Sequence, residues 1–124
     1  MIFLAKVITI VVATMHIYFL YLEMFAWTTK GKKVFRNFPS DLFEPTKKMA
    51  ANQGLYNGFL AAGLLWSLFI NDPEWSANIA LFFLGCVVVA GVYGAYSVAK
   101  KIFIVQGMPA LIGFVLWAVI KYFL

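Results

Sequence analysis

The chain has 124 residues, 64% of them hydrophobic, 19% aromatic and 12% charged, with a formal net charge of +5. A soluble domain carries about 25% charged and roughly 45–50% apolar residues, so this composition excludes an ordinary water-solvated core and fits a chain whose solvent is lipid. Eight of the ten Lys and Arg residues fall in two short stretches between apolar blocks. That clustering argues against nucleic acid as a partner, which would require basic residues along a soluble face.

The first apolar block, residues 2–27, carries Lys6 as its only early charge. Its run outlasts the ~7–15-residue core of a secretory signal and has no convincing small-residue cleavage site, so it reads as a membrane span. Residues 28–48 follow as a basic loop with Lys30, Lys32, Lys33, Arg36, Lys47 and Lys48. Phe35, Phe38, Leu42 and Phe43 are interspersed among these charges. The loop therefore reads either as a segment lying in the headgroup layer or as a solvated loop that only fixes topology. Pro39 and Pro45 argue against a long regular helix there. Three more apolar blocks, residues 49–70, 76–98 and 102–124, are each long enough to cross ~30 Å of hydrocarbon. Asn71, Asp72, Pro73 and Glu74 form a turn between the second and third, and Lys100 and Lys101 separate the third from the fourth.

The expected fold is all-α: a single polytopic domain, a membrane four-helix bundle spanning residues 1–124. The basic loops place both termini on the non-cytoplasmic side of the cell inner membrane. The single Cys86 allows no intramolecular disulfide.

Polar residues inside the apolar blocks carry the functional expectation. In the first span His16 and Glu23 are seven apart on one helix face, continuing a stripe through Thr9, Ala13, Leu20 and Trp27. The second span opens with Asn52, Gln53, Tyr56 and Asn57, and Gly54 and Gly58 form a small-residue face for close helix packing. The third supplies Tyr93, Tyr96 and Ser97, with Gly91 and Gly94 permitting close approach. The fourth supplies Gln106, with Pro109 freeing a backbone carbonyl near it. At about 1.5 Å per residue these groups fall at overlapping depths in the cytoplasmic half, with His16 deepest. The outer halves, residues 7–15, 60–69, 79–88 and 113–120, read as nearly pure hydrocarbon. Tyr18, Tyr21, Trp27 and Trp66 read as interface anchors or packing, and Met15, Met24 and Met108 as packing.

Ionisable residues inside a membrane mark function by default. Asn and Gln taken singly are as readily interhelical hydrogen-bonding glue. One His and one Glu are too few firm ligands to predict a metal site, and no motif names a cofactor. Two readings follow. In one, a cytoplasm-facing pocket binds a small amphipathic or lipid-like molecule, with His16 and Glu23 as proton donor and acceptor and Asn52, Gln53, Tyr56, Asn57, Tyr93 and Gln106 orienting it. Isomerisation or proton-coupled transport would fit that site, and a homo-oligomer is compatible with it. In the other, the chain is a structural or accessory membrane subunit held together by the polar cluster. The apolar outer half disfavours an open aqueous channel.

The segments HIYFLYLEMFAW (16–27), NQGLYNGFLAAGLLW (52–66), VAGVYGAYS (89–97) and QGMPA (106–110) together resemble a small bacterial membrane family catalogued as domain of unknown function 1304. The resemblance covers essentially the whole chain. It implies a four-helix membrane protein with His16, Glu23, Asn52, Gln53, Tyr56, Asn57, Tyr93 and Gln106 as motif positions, and it brings no activity, substrate or cofactor.

Overall fold

A computed structural model describes all 124 residues. Every regular element of the chain is helical. Helix α1 (Ile2–Leu20) runs into a π-helical turn (Tyr21–Phe25), and the loop holds a short α2 (Lys30–Val34) and a 3-10 turn (Ser40–Leu42). Then come α3 (Lys47–Phe69), α4 (Pro73–Ser97), a second π-helical turn (Phe103–Gly107) and α5 (Met108–Phe123). The helix breaks fall where the sequence places them. Pro73 occupies the first turn of α4, where its missing N–H costs nothing. Asp72 caps that helix by accepting from the Trp75 N–H at 2.9 Å.

Three helical segments are long and apolar enough to cross a membrane: Ile2–Phe25, Pro73–Ser97 and Phe103–Phe123. Helix α3 is as long, at 23 residues, but Lys47, Lys48, Asn52, Gln53 and Asn57 dilute its hydropathy. Large apolar side chains lie exposed along the helices, among them Phe3, Phe69, Phe82, Val89 and Ile104. Water penalises such contiguous apolar surface, whereas lipid does not.

The chain forms two compact units, one of Met1–Thr14 with Leu60–Leu124 and one of Met15–Phe59. In the first, Ala5, Val12, Ala13, Leu64, Leu84 and Trp117 belong to one buried cluster. Polar bonds cross this core. The Trp117 Nε1–H donates to Thr9 Oγ1 at 2.9 Å, and the Thr9 hydroxyl donates to the Ala5 carbonyl at 2.8 Å. The Ser76 hydroxyl donates to the Ser67 carbonyl at 2.7 Å. Lys121 is hydrogen-bonded to Asn78 and lies 3.7 Å from the Glu74 carboxylate. The expectation of a nearly pure hydrocarbon outer half is corrected here. Thr9, Ser67 and Trp117 fall within it, and the Trp117–Thr9 and Ser76–Ser67 bonds tie helix to helix.

Gly91 of α4 meets the second π turn backbone to backbone. A Cβ at Gly91 would stand 2.8 Å from Gly107 Cα and 3.0 Å from its nitrogen. Neither backbone atom can rotate away. Gly91→Ala is therefore expected to destabilise the protein by about 1–3 kcal/mol, the usual range for overpacking. At Gly85 the added methyl meets only Phe114 at 3.5 Å, so Gly85→Ala should be neutral or stabilising by up to ~1 kcal/mol from helix propensity. Unfolding of both variants in detergent, followed by circular dichroism, checks the contrast. Equal effects of the two substitutions would refute the close-approach account.

The unit Met15–Phe59 has its own aromatic centre. Phe35, Phe38 and Phe43 surround the Trp27 indole at centroid distances of 5.4, 5.5 and 4.9 Å. Its Nε1–H donates to Thr46 Oγ1 at 3.0 Å. Phe43 is fully buried, and of the apolar loop residues Val34 and Leu42 stay exposed. The loop phenylalanines thus turn inward onto Trp27. The loop is a folded cap with short helical pieces, as its two prolines require.

Candidate functional site

Glu23 sits at the middle of the first π turn. A π turn widens the helix by one residue, redirects the side chains it carries, and occurs often at functional sites. Helix α3 approaches closely here because Gly54 and Gly58 face this turn. A Cβ at Gly54 would meet Glu23 Cβ at 3.1 Å, the Met24 nitrogen at 3.1 Å and the Leu20 carbonyl at 3.2 Å. One at Gly58 would meet Leu20 Cδ1 at 2.6 Å. The small-residue face read from the sequence is thus a real contact surface within this unit.

The approach brings together two of the expected site residues. Asn57 Nδ2 donates to Glu23 Oε1 at 3.1 Å. The other carboxylate oxygen, Oε2, is buried with no hydrogen-bond partner. His16 is fully buried on α1, its ring edge-on to Phe19 at 5.5 Å and 78°. The stripe predicted along this helix is buried at Thr9, Ala13 and His16 and half-buried at Leu20 and Glu23; Trp27, expected to continue it, lies beyond the helix end at Phe25 and is half-buried in the following turn.

The remaining expected residues are placed differently. Asn52, Gln53 and Tyr56 are exposed on other faces of α3, and Tyr56 packs edge-on against Phe59. Tyr93 and Gln106 belong to the other unit. Tyr93 is exposed at the end of a shallow apolar recess along α4 lined by Leu81, Phe82, Gly85, Cys86, Val89 and Ala90. Its carbonyl accepts from the Ser97 hydroxyl at 2.7 Å. Gln106 is half-buried on the second π turn.

Both π turns therefore carry a polar residue singled out from the sequence, Glu23 on the first and Gln106 on the second. Pro109 accounts for the second turn. It has no N–H for the Val105 carbonyl, and the Met108 N–H reaches five residues back to the Phe103 carbonyl. The residues YLEMF of the first turn contain no Pro or Gly, and nothing in them signals the irregularity. Nor does any local pattern in the sequence pair Thr9 with Trp117 or Asn78 with Lys121. No three His, Cys, Asp or Glu side chains come together as a metal-binding group.

Comparison with known proteins gives a consistent placement. The chain is 27% identical over 114 residues to a Lactococcus lactis subsp. lactis (strain IL1403) protein described as uncharacterized protein YpaA, over 90% of this chain and 94% of that one. No solved structure matches it. The sequence pattern of the family described as protein of unknown function (DUF1304) matches residues 10–118, and the chain belongs to that family.

Proposed function

We propose that this is a four-span protein of the cell inner membrane that binds a small amphipathic or lipid-like molecule through Glu23 and Asn57. The observation that carries the reading is the half-satisfied carboxylate. Oε1 is held by Asn57, while Oε2 is buried and unpartnered. An unmet buried acceptor costs about 1–3 kcal/mol. A ligand presenting an N–H or O–H donor removes that cost, so the chemistry favours an amphiphile with an amine or hydroxyl head. His16 and Glu23 are the groups available to exchange a proton with it. Asn52, Gln53 and Tyr56 on the same helix as Asn57 are the further polar groups proposed to orient it.

Four spans are supported by the length of α3, which at ~1.5 Å per residue matches the ~30 Å hydrocarbon core. The proposed orientation, with those connections in the cytoplasm and both termini outside, is supported by the basic residues at 28–48 and 100–101. A second reading, a structural or accessory subunit, draws on the same Asn57–Glu23 bond as a tie between α3 and the end of α1.

Glu23→Gln separates the two. It keeps size and shape but replaces the carboxylate oxygens with one acceptor and one donor. The ligand reading expects a folded protein in which an amine- or hydroxyl-bearing amphiphile, found by mass spectrometry of the purified wild type, is depleted at least about tenfold, equivalent to ~1.4 kcal/mol. The structural reading expects the same copurifying molecules in both proteins and a change in stability alone.

A further inference from the structure

The folded loop displays positive charge on its outside. Lys30, Lys32, Lys33, Arg36, Lys47 and Lys48 are all exposed, while Asp41 and Glu44 are the only acidic residues between 28 and 48. The aromatic cluster around Trp27 fixes the chain beneath them. The Arg36 Nε–H further donates to the Lys33 carbonyl at 3.1 Å. These charges therefore sit on a shaped surface and not on a free tether. Two features set its level. Tyr18 and Tyr21, exposed and stacked at 6.4 Å, carry the Lys30 Nζ at 5.4 and 6.0 Å from their ring centroids. Tyrosines paired with lysines at the end of an apolar helix mark the headgroup layer. Lys47 and Lys48 lie in the first turn of α3, where the helix dipole disfavours cations. Helix stability therefore does not explain their placement.

We infer that this face, from Lys30 to Arg36 together with Lys47 and Lys48, is a binding surface for anionic lipid headgroups. Clustered Lys and Arg beside a membrane helix attract acidic lipids with an energy that grows with each charge and is screened by salt. The inference rests on the proposed membrane reading of α1 and α3, and is independent of the Glu23 ligand.

The test uses the full-length protein in a neutral detergent, offered equal amounts of phosphatidylglycerol and phosphatidylcholine and then repurified. Retained lipid is measured by mass spectrometry. Phosphatidylglycerol should be retained about tenfold over phosphatidylcholine, and this preference should collapse at about 1 M salt, where the screening length is ~3 Å. The variant K30Q/K32Q/K33Q/R36Q should lose most of the preference, K47Q/K48Q should lose part of it, and Glu23→Gln should keep it. All substituted Lys and Arg positions are exposed, and circular dichroism in detergent reports that the variants remain folded. Equal retention of the two lipids, or an undiminished preference in both lysine variants, overturns the inference. Displacement of phosphatidylglycerol by inorganic phosphate at constant ionic strength, where equivalent chloride leaves it bound, would overturn the lipid headgroup as the source of the recognised anion. Loss of the preference in Glu23→Gln alone would move the lipid to the Glu23 site and overturn the separate surface.

Discussion

Trp117→Ala is expected to cost about 3–5 kcal/mol, the range for truncating a buried tryptophan. Trp117 is the largest fully buried side chain of the protein. The buried cluster it belongs to is rich in alanine (Ala5, Ala13, Ala77, Ala80 and Ala110), whose methyl groups cannot extend to fill space left in it. Truncation also removes the donor to Thr9 Oγ1. Two further substitutions apportion the loss. Trp117→Phe keeps most of the ring and removes the N–H, so it should cost far less than the alanine, with the lost interhelical bond contributing about 0.6 kcal/mol. Thr9→Val keeps the shape of residue 9 but leaves the indole N–H buried and unmet, which should cost about 1–3 kcal/mol. Reversible unfolding in mixed detergent, followed by circular dichroism, measures all three. A Trp117→Ala protein within about 1 kcal/mol of wild type would contradict a tightly packed core at this position.

The same tryptophan illustrates what could and could not be read from the chain. The stripe through Thr9, Ala13 and His16 was legible because a helix repeats its face every three to four residues, and all three are buried. The bond from Trp117 to Thr9 joins residues 108 apart in sequence. No local periodicity encodes such a pairing. The polar motif of α3 was legible in part. Gly54 and Gly58 define its contact face, and Asn57, three residues after Gly54, lies on that face beside Glu23. Asn52, Gln53 and Tyr56 stand two before, one before and two after Gly54, which turns them off it. Using the glycines to set the direction would have singled out Asn57 among the four. The second π turn was foreshadowed by Pro109, but the first had no such marker. The register of Glu23 is set by helical geometry that its neighbours do not announce.

Gly54→Val should undo that placement. The new Cβ would stand about 3 Å from the Met24 nitrogen, the Leu20 carbonyl and Glu23 Cβ, and the first two are backbone atoms of the segment that bears the carboxylate. The helices must separate by several tenths of an ångström or more, at a cost of about 1–3 kcal/mol. The Asn57–Glu23 bond, already 3.1 Å long, would then open beyond useful length. Gly58→Ala is the informative counterpart. Its methyl would meet chiefly the end of the Leu20 side chain, which can rotate, and the gain in helix propensity of up to ~1 kcal/mol offsets the crowding. Gly54→Val is therefore expected to lose both stability and the amphiphile that copurifies with wild type, and Gly58→Ala to keep both. Unfolding in detergent measures the first quantity, and mass spectrometry of the purified proteins the second. If Gly54→Val retained the amphiphile while losing stability, the close crossing would serve the bundle alone and Asn57 would have no part in recognition. If it lost the amphiphile while Glu23→Gln retained it, recognition would depend on the helix crossing and not on the carboxylate. Only loss in both variants, with retention in Gly58→Ala, fits a site built from the π turn that carries Glu23 and the glycine face that brings Asn57 to it.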